Sequence, residues 1–362
     1  MARLQLASTL DAVRPEMSIH FEFVPAGERR RWDAALWDLP HGYWHGWAAC
    51  HAIGLGSGLP VSLCVATDRD GVIAAAPVAE RTWQGERDLF TPAGFSGFAA
   101  ARPLPADFHA QWSEFAAAQG YVAGYFALHP RFGVASAHSG LASDNELFEL
   151  ELTGSPGEML RRCDRSVRRA VNAATAAGLC FITDREKLTA FIVENHGPCL
   201  AALGARERWA PATIAAMCAD PELLMVGVED DAGVCAVHTF GVSGRSAEFH
   251  LQLAVRDGRC HATALVWWGL CRLASDGVSW ANMGGGINRG DSVAQSKRKF
   301  RPRAIAFLRA REVYRPAKYR QLCQRTGVDP DTSRFHPPYH GAAVPDATTA
   351  AAPATSAAGD GP

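Results

Sequence analysis

Two stretches of the chain, VSLCVATDRDGVIAAAPVA (residues 61–79) and LLMVGVEDDAGVCAVHTFG (residues 223–241), align turn on turn. In each, an apolar run enters an acidic turn that closes on glycine, Asp68–Gly71 or Asp230–Gly233, and a second apolar run leaves it. An acidic turn ending in glycine between apolar runs is a hairpin signal. Two such hairpins in similar surroundings predict an internal duplication, which governs the fold.

Reading outward from the hairpins, each half repeats one order. Before the first lie a strand at His20–Phe23 and helical segments at Gly27–Leu36 and Tyr43–Ile53. After it come a helix (Ala106–Gln119) and the strands YVAGYFAL and LFELEL. In the second half, SPGEMLRRCDRSVRRAVNAATAAG reads as one helix with a Ser155 cap and a Gly178 stop, followed by the strand LCFIT. Helices at Arg185–Leu203 and Pro211–Cys218 precede the second hairpin. Beyond it lie the strand SAEFHLQLAV, the helix HATALVWWGLCRLASDG and the strand VSWANM, which runs into Gly284, Gly285 and Gly286. A helix at Ser292–Lys299, the strand AIAFLRAREVY and a helix at Ala317–Cys323 complete the pattern. This order suits an α/β sandwich built on a mixed sheet.

The expected division is a loose segment (1–18), an N-terminal unit (19–150), a C-terminal unit (151–334) and a disordered tail (335–362) rich in Ala, Pro, Thr and Gly. Of the 362 residues, 36 are basic and 37 acidic, a net charge of −1 that excludes a uniformly basic nucleic-acid coat. No apolar run reaches the roughly 18 residues of a membrane span. The first residues lack the apolar core of a signal peptide. The 10 cysteines include no C-x-x-C pair, so neither a zinc ribbon nor a thioredoxin-type site is expected. A cytoplasmic protein with free thiols is the expectation.

Four segments carry a family resemblance. They are DLFTPAGFSGF (88–98), YFALHPRF (125–132), MLRRCDRSVRRAVNAATAAG (159–178) and NMGGGINRGDSVAQSKRKFRP (282–302). In order, they resemble the aromatic-glycine loop, the "RLHP" segment, the arginine-rich helix and the "GGG…D-x-L…F-K-x-x-F" segment of the Fem-like branch of the GCN5-related N-acetyltransferase (GNAT) superfamily. The resemblance spans about residues 19–323. It implies tandem GNAT-like domains, each a mixed, mostly antiparallel sheet flanked by helices.

It also implies amide formation, with an aminoacyl group moved from aminoacyl-tRNA to the amine of a small-molecule or nucleotide-linked acceptor. The co-substrate is then the tRNA acceptor end, with no bound cofactor and no metal. Two alternatives stand: an acyl-CoA-dependent N-acyltransferase, and a non-catalytic binder of tRNA or a sugar nucleotide. The loop RDGRCHATA (Arg256–Ala264) lacks the glycine spacing of a CoA pyrophosphate loop.

Lys297 matches the family's F-K lysine, placed near the reacting ester, although Ser296 replaces the usual Phe. Read from the residues alone, Lys297 is either an oxyanion stabiliser or a surface lysine. Glu248 and His250, at i and i+2 of one strand, share a face and are candidate bases, with His238 on the neighbouring strand. Gly284, Gly285, Gly286 and Asn288 form a candidate substrate wall or a tight β–α connection. Asp291 reads as a helix cap. Residues 289–320 hold eleven basic and two acidic residues, and five arginines lie in 161–169. Arg165, Arg168, Arg298 and Arg301 are therefore candidate contacts to a polyanion, or parts of a solvated face. His41 and His45, four apart, match metal spacing on a helix but have no nearby carboxylate ligand.

Overall fold

The computed structural model describes residues 18–202, 209–333 and 335–341. Its N-terminal strands are β1 (His20–Pro25), β2 (Val61–Asp68), β3 (Gly71–Trp83), β4 (Glu86–Phe90), β5 (Ala99–Ala100), β6 (Tyr121–Ala127) and β7 (Leu141–Glu151). Around them lie α1 (Arg29–Leu36), α2 (Trp47–Ser57) and α3 (Phe108–Ala118). Then come α4 (Pro156–Arg162), α5 (Arg165–Ala176), β8 (Cys180–Ile182), α6 (Arg185–Ala202) and α7 (Pro211–Cys218). The second hairpin and its sequel are β9 (Leu223–Asp230), β10 (Gly233–Ser243), β11 (Ser246–Ala254), α8 (Ala262–Ser275) and β12 (Trp280–Asn282). The chain closes with α9 (Ser292–Arg298), β13 (Arg303–Val313), α10 (Pro316–Thr326) and α11 (Pro338–Gly341).

The duplication is present down to the turn chemistry. In the first hairpin Asp68 accepts from the Asp70 N–H (2.9 Å), and in the second Asp230 accepts from the Ala232 N–H (2.8 Å). The glycine that follows takes φ of +117° at Gly71 and +102° at Gly233, a region costly for other residues. Each half then crosses over a helix to a parallel strand: β4 over α3 to β6, and β11 over α8 to β12.

The two halves exchange their last strands. β13 pairs with β6, and β7, which follows β6 in the chain, pairs with β12. β13 and β7 also pair with each other, so one sheet runs β1-β2-β3-β4-β6-β13-β7-β12-β11-β10-β9-β8, with β5 on β3. Helices cover both faces. One face holds a core of Phe148, Val167, Phe240, Leu265, Leu270 and their neighbours beneath α5, α8 and α9. On the other, Tyr43, Trp44, Ile53, Ile192, Ile214 and Met217 pack α2, α6 and α7 together.

Three local expectations are corrected. The segment read as one helix from Ser155 is two. Ser155 and Glu158 form the reciprocal cap of α4, but Cys163 and Asp164 turn extended (ψ 163° and 155°). The Asp164 N–H bonds instead to the Lys299 carbonyl (2.8 Å), a tertiary contact that breaks the helix. Second, ERDLF (86–90) forms β4, unread in the sequence because charge interrupts its apolar pattern. Third, residues 335–341 of the expected tail are folded. Tyr339 is buried and its hydroxyl donates to Asp88 (2.7 Å), with His340 on the other carboxylate oxygen (2.9 Å). The rest of the expected tail, and residues 1–17, lie outside the described residues.

Candidate active site

β11 and β12 run parallel for three pairs, Ser246–Trp280, Ala247–Ala281 and Glu248–Asn282, and then part. Beyond Asn282 the chain turns to β7: Met283 donates to the Phe148 carbonyl (2.7 Å), and Phe148 donates to that of Gly284 (3.0 Å). β11 stays with β10. A slot therefore opens between Phe249 and the glycine run. A Cβ on Gly285 would lie 2.3 Å from the Glu146 carbonyl oxygen, and one on Gly286 2.3 Å from Asp291 Oδ1. These glycines let backbone pass where no side chain fits.

Lys297 stands at this slot. Asp291 sets the helix that carries it, accepting from the Ala294 N–H (2.8 Å) as cap and from the Asn288 N–H (2.9 Å). Lys297 Nζ donates to the Gly285 carbonyl (2.6 Å) and lies 5.0 Å from the Phe249 ring centre. Burial lowers its pKa to about 8, against a small opposing effect of Asp291. Lys297 is thus a half-buried ammonium on the slot and not a solvated surface charge. Ser296 is exposed and bonds back to Val293 within the helix.

The structure does not bring Glu248 and His250 to Lys297. Both lie on the opposite face of β11, as their spacing required, while Phe249 faces the slot. His238 is on the Lys297 side: its ring packs 3.8 Å from Phe249. Burial, and then the charges of Lys297 and His250, hold its pKa well down, and neither ring nitrogen has a hydrogen-bond partner.

Glu248 meets a residue that sequence reasoning did not select. His129, within YFALHPRF, presents Nε2 to Glu248 Oε1 at 3.6 Å. Its Nδ1 accepts from the N–H groups of Arg131 (3.1 Å) and Phe132 (3.2 Å), so Nε2 carries the ring proton. Neither Glu248 oxygen has a partner within hydrogen-bonding geometry. Burial raises its pKa to about 8, although the N–H groups of Tyr43 and Trp44 pull the other way. His129 is pushed far down by burial, then by His45 and Arg131. Gly42 closes over the pair, where a Cβ would sit 2.6 Å from Glu248 Oε1. His250 bonds Thr239 (2.9 Å) and stacks on Trp209, and burial lowers it to about 3.

The remaining candidates fall into separate places. Arg298 pairs with Glu146 and lies over Phe148, and Arg301, at φ +59°, pairs with Asp164. Arg168 bonds the Cys163 carbonyl and braces the joint between α4 and α5, whereas Arg165 and Asn288 are exposed. The basic run at 289–320 is not one face. Arg298 and Arg301 lie near the slot, while Arg309, Arg315 and Lys318 pair with Asp144 or Glu86 in the first half. His41 and His45 do not share a helix. Each bonds a backbone carbonyl, that of Leu39 (2.7 Å) or Gly97 (3.1 Å). Among the described residues no group of three or more His, Cys, Asp or Glu is placed to hold a metal, and no helix is long and apolar enough to cross a membrane.

No family model and no curated protein matches the chain by sequence. Solved structures do match in fold. FemX superposes with a TM-score of 0.61 at 10% identity, over 83% of this chain and 99% of that one. The C-terminal domain of a protein designated a lysylphosphatidylglycerol synthetase, from Agrobacterium fabrum, gives 0.55 at 15% identity over 82% and 97%. L-PGS from Bacillus licheniformis gives 0.52 at 12% identity over 80% and 94%. The class of fold is therefore a tandem GNAT-like α/β sandwich. More particularly, its arrangement is similar to that of FemX, in agreement with the Fem-like sequence segments.

Proposed function

We propose that this protein is an aminoacyltransferase that moves an aminoacyl group from the ester of aminoacyl-tRNA to an amine and so forms an amide. The carrying observation is the half-buried Lys297 ammonium at the parting of β11 and β12, held by the Gly285 carbonyl. The Fem-like segments and the fold shared with FemX and with a protein named for making an aminoacylated lipid support the same reading.

The chemistry asks little of the protein. The ester is already activated, so the site must hold the amine against the carbonyl and stabilise the oxyanion. A C–N bond forms and the ester C–O bond breaks. Lys297 donates to the carbonyl oxygen as charge develops. It then gives a proton to the leaving ribose oxygen and takes one from the attacking nitrogen. A pKa of about 8 suits both transfers near neutral pH. His238, held neutral by burial, packs its ring against Phe249. Glu248, His129 and His250 lie on the other face of β11, apart from this chemistry.

One observation weighs against an acyl-CoA donor. The segment after β11 is a 3₁₀ helix, Arg256–His261, that leads straight into α8. The Gly258 N–H is bonded to the Val255 carbonyl (2.9 Å), and a Cβ on Gly258 would lie 2.2 Å from the Cys235 oxygen. That glycine closes the turn onto β10 and does not open a phosphate cradle.

The test is donor discrimination. The purified chain is mixed with a pool of radiolabelled aminoacyl-tRNAs, and separately with acetyl-CoA, in the presence of a cell extract as the source of acceptor. Accelerated, RNase-sensitive loss of one amino acid from its tRNA is the expected result. Thiol release from acetyl-CoA with intact aminoacyl-tRNA, or no reaction with either donor, overturns the reading.

A further inference from the structure

The helix that carries Lys297 ends on a basic ridge that the chemistry at the slot does not use. Lys299 is the C-cap of α9, two residues beyond Lys297. Its carbonyl accepts from the N–H of Asp164, the N-cap of α5 (2.8 Å). α5 then opens with Arg165, Arg168 and Arg169 and has no acidic residue in its first turn. Arg165 and Arg169 are four apart in the helix, so they share one face at a spacing of about 6 Å. Lys299, Arg165 and Arg169 are all exposed.

The acids at hand are committed. Asp164 pairs with Arg301, and Glu158 is held in the cap of α4 with Ser155. Among the described residues Lys299, Arg165 and Arg169 have no ion pair. Like charges four apart on one helix face repel, and arginines at the start of a helix oppose its dipole. A polyanion lying along the ridge relieves both costs.

Two observations say which polyanion. The first is continuity with the slot. Lys299 lies within about 8 Å of Lys297 along the chain, and Arg169 is about 7.5 Å along α5 from its cap. A nucleic-acid strand whose esterified end sits at Lys297 therefore has all three cations within reach of its first few phosphates. The second is composition. Among the described residues α4 and α5 expose no large apolar side chain, the element a lipid surface needs for anchoring.

We infer that Lys299, Arg165 and Arg169 form a phosphate track for the 3′ end of the donor tRNA. The inference rests on the aminoacyl-tRNA reading and names the surface that this reading requires. Phosphate contacts position a strand without reading its bases. The track thus holds any tRNA, and the choice of amino acid falls to the slot.

The probe is bulk deacylated tRNA, titrated into the full chain by fluorescence anisotropy from about 50 to about 200 mM salt. Each single-strand phosphate contact contributes a slope of about 0.7 in log Kd against log salt. Arg165→Gln, Arg169→Gln and Lys299→Gln combined should lower that slope by about 2 and weaken binding at least about tenfold at the lower salt. The unfolding midpoint should not move, because all three side chains are exposed. Arg30→Gln, Arg69→Gln and Arg320→Gln combined, at exposed positions on α1, the first hairpin turn and α10, should leave affinity within about twofold. Transfer is read separately. In the ridge variant the KM for aminoacyl-tRNA should rise about tenfold, more than kcat falls. A normal slope change without any transfer overturns the donor reading and leaves the track. Wild-type tRNA affinity in the ridge variant overturns the track, as does an equal loss in the control variant. Loss of binding to phosphatidylglycerol vesicles with unchanged tRNA affinity overturns it in favour of a lipid surface.

Discussion

Two glutamates on this one sheet are equally buried and differ in everything else. Glu312, on β13 in the first half, receives hydrogen bonds from Trp112 (2.9 Å), Tyr314 (2.7 Å), the Ser139 N–H (3.2 Å) and His138 (2.9 Å). Burial pushes its pKa up, but the His138 charge and the bonds from His138, Tyr314 and Trp112 outweigh this and hold it below the usual range. Glu248, on β11 in the second half, has no hydrogen-bond partner, and burial carries it up to about 8. The low dielectric that strengthens a satisfied network penalises an unsatisfied one. Glu312 thus ties the exchanged strand β13 into the first half as structure. Glu248 sits at the last pair before β11 and β12 part, on the face turned away from Lys297, where no donor is placed to meet it.

Removing the satisfied carboxylate strikes the network at its centre. Glu312→Ala should cost about 3–5 kcal/mol, because it strands several buried donors. Urea unfolding near neutral pH reads that loss. The depressed pKa sets its pH window: the contribution is complete above the unfolded value of about 4.5 and fades as pH falls through the folded one. A loss below about 1 kcal/mol would show that the network does not hold the strand.

The opposite substitution sharpens the contrast. Glu248 holds its proton when folded up to about pH 8, but releases it near 4.5 when unfolded. The folded state therefore loses stability as pH rises between those values. Glu248→Gln should remove that slope and leave the protein roughly 2 kcal/mol more stable than wild type at pH 8. Parallel urea titrations at pH 5 and pH 8 check this, and parallel slopes for wild type and variant would contradict it. The smallest effect is at the cap of the lysine-bearing helix. Asp291→Ala should cost about 1 kcal/mol of stability. It should also slow transfer by more than that loss explains, because α9 holds Lys297 on the Gly285 carbonyl.

The features legible in the sequence are those governed by local chemistry. Asp68 and Asp230 each fold a turn onto their own backbone, so both hairpins and the duplication could be read from the residues. The Asp291 and Ser155 caps were readable for the same reason. Features set by distant partners were not. Nothing in AIAFLRAREVY says that it will pair with β6, and nothing local separates β7 from its own half. His129 gains its meaning from Glu248, 119 residues away in the chain, so a lone histidine after an apolar strand gave no signal beyond its motif. The basic run failed as a surface because charges adjacent in sequence are dealt to α9, β13 and α10, and many of them meet acids. Likewise, the tail composition hid Tyr339, whose partner Asp88 lies on β4.

In the proposed reaction Lys297 works on the ester at the slot. The most direct test is single-turnover transfer from the aminoacyl-tRNA that the chain accepts, comparing wild type with Lys297→Met from pH 6 to pH 9. Loss of one oxyanion donor predicts a rate at least about a hundredfold lower at pH 7, with the unfolding midpoint preserved. The wild-type advantage should shrink as pH rises through about 8 and the ammonium is lost. A Lys297→Met rate within about threefold of wild type across that range would contradict the account.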